Sequence, residues 1–103
     1  MTKKYPVIFA CSFLIGCAAQ KFTPTQAALA SMQQKVPGIT MENIQAGYKL
    51  YTEKCAGCHK LYQPVKYSVS QWDEILPKMI PRAKVTDTGN QTLIRNYLHA
   101  LSK

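Results

Sequence analysis

Apolar residues recur at helical spacing in four stretches of this chain, and nowhere do they alternate at period two strongly enough to predict a strand. The first stretch, residues 25–36, carries Ala28, Leu29 and Met32 on one face, with Thr25 placed as N-cap and Pro37-Gly38 as the stop. The second, residues 41–54, carries Ile44, Gly47, Leu50 and Tyr51 on one face. Thr40 is placed to cap it, and Glu42 lies in the first turn, where the helix dipole favours an acid. The third covers residues 69–76, with Ser68 or Ser70 as cap; Pro77 is expected to end or kink it, because proline brings no N–H to the helix ladder. The fourth, residues 87–101, is capped by Thr86 and presents Leu93, Ile94, Tyr97, Leu98 and Leu101 as its stripe. The pattern predicts an all-α protein without internal repeats.

A further apolar run is of a different kind. Residues 7–16 (VIFACSFLIG) follow Lys3 and Lys4 and are too few to span a bilayer as a stable helix, which is the form of an export signal. Residues 14–17 (LIGC) resemble the lipobox of bacterial lipoprotein precursors. In that family the chain is cut before the cysteine, whose sulfur and amino group carry acyl chains. The resemblance implies lipidation at Cys17 and a place in the bacterial cell envelope, facing the periplasm or otherwise outside the cytoplasm. Two or more acyl chains anchor stably at about 0.8 kcal/mol per buried CH₂. An ordinary secretory signal, or an uncleaved anchor, is the alternative. The expected division is a signal peptide at 1–16, a lipidated tether with a short helix at 17–39, and a functional domain at 40–103. Whether the short helix packs on that domain or stands off as a spacer is not written in the pattern.

A domain this short rarely supports itself by its core alone, so a staple is expected. Residues 55–59 (CAGCH) offer one. Two cysteines two apart, followed at once by a histidine, form the attachment pattern of c-type haem. Each of Cys55 and Cys58 can add its thiol to one haem vinyl group, and His59 then lies under the iron as an axial ligand. The same two cysteines could serve as a redox dithiol or as half of a zinc site. A dithiol motif is expected near a βαβ pattern, which is missing here. Zinc needs further ligands; His99 is the other histidine, while Cys11 and Cys17 lie in or at the end of the signal segment. Export also suits haem attachment, since c-type cytochromes mature outside the cytoplasm.

Helix, CAGCH motif and a final helix with an inward aromatic, in that order, resemble the small class I cytochromes c over residues 44–101. In that family the first and last helices cross where a glycine meets an aromatic ring; Gly47, with Tyr51 one turn on, and Tyr97 match those positions. The resemblance implies a small helical domain of about three helices around one covalent haem c. It also implies a methionine as second axial ligand, from a loop between the last two helices, and Met79 is the match. The interval from His59 to Met79 is shorter than usual for the family, which would leave more haem edge exposed. Pro64 matches, at a shorter interval, the proline whose carbonyl accepts from the proximal imidazole; a turn proline is the other reading. Trp72 is expected in the wall of the haem pocket, the tyrosines as packing rings, and His99 at the surface, away from the Tyr97 face. Met32 and Met41 read as core.

The chain holds 13 Lys and Arg against 5 Asp and Glu, and losing Lys3 and Lys4 with the signal leaves it about +6 before haem. Lys54, Lys60, Lys66, Lys78, Arg82 and Lys84 fall in segments expected around the haem crevice. There they would steer a redox protein with an acidic docking surface, or simply form a solvated face. The acids Glu42, Glu53, Asp73, Glu74 and Asp87 form no obvious pair, so no acid–base catalysis, enzyme activity or small-molecule substrate is implied. An exported lipoprotein is not expected to meet nucleic acid. Two functions from different classes follow: a membrane-tethered one-electron carrier with His59 and Met79 on the iron, or a haem sensor or gas-binding protein whose sixth position is open or labile. In either case the domain could act within a larger complex.

Overall fold

Helix starts are set by short polar side chains that accept the first unpaired N–H groups. The computed structural model describes residues 22–55 and 60–103, and these form four α-helices: α1 (Gln26–Lys35), α2 (Met41–Leu50), α3 (Val69–Arg82) and α4 (Thr88–Leu101). No strand occurs among the described residues. Thr25 Oγ1 accepts from the Ala28 N–H at 3.1 Å and so fixes α1. Thr40 and Asn43 bond reciprocally at the start of α2, at 3.2 and 3.0 Å. Ser68 and Gln71 do the same for α3, at 3.3 and 2.9 Å. For α4 the cap is Asp87 rather than Thr86: its Oδ2 accepts from the Asn90 N–H at 2.9 Å, and a carboxylate is the stronger acceptor at a helix N-terminus.

Two helices end differently from the sequence expectation. α2 runs on into a wider π-helical turn, Tyr51–Cys55, which carries the backbone up to the first cysteine of the motif. α3 does not stop at Pro77 but continues through Pro77 and Pro81. Proline frees the carbonyls of Asp73 and Pro77, each four residues earlier, and both prolines lie on the exposed side of the helix, where water can satisfy those carbonyls. The true stop is a left-handed residue, Lys84 at φ 61°. Lys84 N–H bonds to the Pro81 carbonyl at 3.0 Å and Val85 N–H to the Ile80 carbonyl at 3.2 Å, while the buried Val85 side chain closes the end.

The body is organised by the contact of α2 with α4. A Cβ placed on Gly47 would press into the Leu93 carbonyl oxygen and stand 2.7 Å from the Tyr97 Cβ, so only glycine lets the two backbones meet there. Around that contact Ile44, Tyr51, Trp72, Ile94, Tyr97 and Leu98 are fully buried. The backbone N–H of Lys103 reaches the Tyr67 carbonyl at 3.2 Å and ties the C-terminus to the segment after the motif.

α1 is part of this body. Met32 and Ile39 are buried in the same core as Trp72 and Tyr97, and Ala28 is buried as well. Burying a methionine or isoleucine side chain contributes about 1.5–3 kcal/mol, so the two together hold the segment firmly. At its entry, the Tyr97 hydroxyl donates to the Phe22 carbonyl at 2.5 Å.

Candidate functional site

The site is built on the aromatic cluster that closes the C-terminal end of α2. Tyr51, one turn before Cys55, is fully buried, and its hydroxyl donates to the Tyr62 carbonyl at 2.6 Å. Its ring stands edge-on to Trp72, with centroids 6.2 Å apart, and tilts against Tyr97 at 5.7 Å. Trp72 in turn meets Tyr67 edge-on at 5.1 Å, and Tyr67 meets Tyr62 at 6.0 Å. Such edge-on pairs add about 0.5–1.5 kcal/mol each beyond their buried area. The segment following the motif is thereby wrapped onto α3 by its own rings.

Burial raises the Tyr51 phenol well above its ordinary range, and the neighbouring Cys55 thiol and the Tyr67 and Tyr62 phenols push in the same direction. Tyr97 is raised for the same first reason, with Tyr51 and Tyr48 adding to it. Both phenols keep their protons through any physiological pH.

Cys55 is buried, 6% exposed, in the last turn of the helical run. Cys58 and His59 lie outside the described residues, as does Cys17. Met79 is half-buried and sits in the last turn of α3, not on a loop, because α3 outlasts Pro77. It shares a helix face with Trp72, Ile75 and Leu76, seven residues and about 10 Å along the axis from Trp72. The Tyr51 turn and the Met79 face are thus linked through Trp72.

One side chain, His99, is placed otherwise than the sequence suggests, and a second, Pro64, takes a partner that the sequence did not name. His99 is not a surface residue: its side chain is 15% exposed, and its Nε2 lies 2.7 Å from Asp73 Oδ1, joining α4 to α3. The pair spans 26 residues of sequence, so no local spacing announces it. Pro64 is fully buried, and its carbonyl accepts from Trp72 Nε1 at 2.8 Å. A buried indole N–H requires such an acceptor, which was the available signal.

By residue type, Cys55, Cys58, His59 and Met79 are donors that a covalent haem would use. Two thiols, one imidazole and one thioether are what c-type attachment and axial ligation use. Leu61, Tyr62, Tyr67, Ile75 and Ile80 are partly buried against this core and offer apolar or aromatic surface. Among the described residues no group of three His, Cys, Asp or Glu side chains is placed to hold a metal ion. A groove of about 540 Å³ opens between α3 and α4, lined by Asp73, Pro77, Ile80, Thr92 and Arg95.

A scan against protein-family models finds no match for this chain, and searches of curated proteins and of solved structures find none either.

Proposed function

We propose that this chain is a lipid-tethered monohaem c-type cytochrome that carries single electrons at the bacterial cell envelope, outside the cytoplasm. The observation that carries the reading is the CAGCH string itself, set at the end of a helix whose Gly47 seats on α4 and whose Tyr51 packs on Trp72. This is the arrangement that the resemblance to small class I cytochromes c implies.

Bound haem would supply a reversible one-electron iron couple. The residues of the chain do the rest. Cys55 and Cys58 would hold the porphyrin by thioethers, while His59 and Met79 would fill both axial positions. A thioether ligand favours the ferrous state and raises the potential relative to two histidines. Tyr51, Trp72 and Tyr97, fully buried, exclude water from one side of the site. The phenols of Tyr51 and Tyr97 stay protonated, so no phenolate charge would oppose reduction of the iron. Lys54, Lys60, Lys66, Lys78, Arg82 and Lys84 are all exposed and would favour a redox protein with an acidic docking surface. No catalytic residue or small-molecule substrate belongs to this reading.

One observation favours the second reading, a haem sensor or gas-binding protein. Met79 is held within a helix, so its reach to iron depends on where the whole of α3 sits. If that reach fails, the sixth position is open.

The test is the mass of the unfolded chain after production in a host that matures c-type haem. The proposal requires the added mass of one haem that survives denaturation and disappears in a Cys55→Ala/Cys58→Ala chain. A haem-free wild-type chain would return the two cysteines to thiol or metal chemistry. Met79→Ala should lower the midpoint potential and open the iron to added ligands; an unchanged potential would remove Met79 as ligand.

A further inference from the structure

The segment between the lipid-bearing cysteine and the domain is much shorter than the sequence suggests. Residues 22–39 are docked: Met32 is 1% exposed, Ile39 4% and Ala28 7%, all packed on the body. The entry point is fixed as well, since the Phe22 carbonyl receives the hydroxyl of the fully buried Tyr97. Only residues 18–21 separate Cys17 from Phe22. Fully extended, that length of chain reaches about 17 Å, whereas a free tether running to residue 39 would reach about 75 Å.

We infer that the phospholipid surface bearing the Cys17 acyl chains is itself a contact partner of the body, which is held on a four-residue leash with the Phe22 side against the bilayer. The inference rests on the reading of Cys17 as a lipid-bearing residue. One aromatic ring links the leash entry to the site: Tyr97, which holds Phe22, packs on Tyr51, one turn before Cys55. The Cys55 turn therefore stays within reach of the membrane plane, so partners embedded in, or lying on, the same bilayer can meet it. Lys21, the last residue of the leash, adds a cation that anionic headgroups attract. A soluble shuttle between two membranes is incompatible with this geometry.

Neutron reflectometry of the full lipidated protein on a supported phosphatidylcholine bilayer tests this. The zwitterionic lipid removes general electrostatic adsorption. Protein density should begin within about 17 Å of the headgroups. Inserting about twenty Gly and Ser residues between Ala19 and Gln20, outside the packed body, should move the density outward by up to about 25 Å. A wild-type gap wider than the leash, or a profile indifferent to the insertion, overturns the inference. Mass spectrometry of the same sample separates the two levels. A chain without acyl groups at Cys17 overturns the lipid reading and the leash with it; an acylated chain with a wide gap overturns the leash alone.

Discussion

At Gly47 the absence of one methyl group sets the distance between two helices. Alanine would improve intrinsic helix propensity by about 1 kcal/mol. Its Cβ, however, would meet a backbone carbonyl at Leu93, which cannot rotate aside as a side chain can. Overpacking of this kind costs about 1–3 kcal/mol or more, so Gly47→Ala should unfold at lower urea; a variant more stable than the wild type would mean that α2 and α4 do not cross here. The buried phenols make a second residue-level prediction. In the folded state Tyr51 and Tyr97 hold their protons above the ordinary phenol value of 10.0, which they recover on unfolding. The unfolded chain therefore loses those protons first as pH rises. Stability is fully present below about pH 10 and falls above it. Absorbance at the tyrosinate band should show two of the phenols ionising only together with loss of helical circular dichroism. Their titration in the folded protein, alongside the exposed ones, would contradict their burial.

At the scale of elements, three of the four helices were legible in the pattern, because their limits follow from local capping: Thr25, Thr40 and the Thr86-Asp87 region mark starts, and Pro37-Gly38 marks a stop. α3 was read too short. The rule that proline ends a helix weighs the lost N–H, but where the freed carbonyls face water the helix can run on, and here it stops about two turns later at Lys84. That extension takes Met79 from a loop onto a helix. The docking of α1 was not legible at all, since its anchor, Phe22 to Tyr97, joins positions 75 residues apart. The His99–Asp73 pair was missed for the same reason. Of the candidate site, the sequence named the motif through its spacing and the structure supplies the surroundings of Cys55. α1 itself can be tested: Met32→Ala removes a side chain that is 1% exposed and should cost about 2–5 kcal/mol. If α1 were a free spacer, the same change would leave the urea midpoint of the body untouched.

For the whole molecule, the excess of 13 basic over 5 acidic residues and the short leash bear on the same question of which partners the site meets. On the proposed reading, charge would favour acidic docking surfaces, and the leash would keep the encounter at one membrane. Both matter only if the iron is a carrier centre with both axial positions filled. The most direct measurement is the absorption spectrum of the haem-matured, reduced protein with and without carbon monoxide. The account requires a low-spin spectrum that the gas does not alter, because His59 and Met79 occupy the iron. A clear shift on adding carbon monoxide would contradict it, leaving the sixth position open and ligand binding as the function.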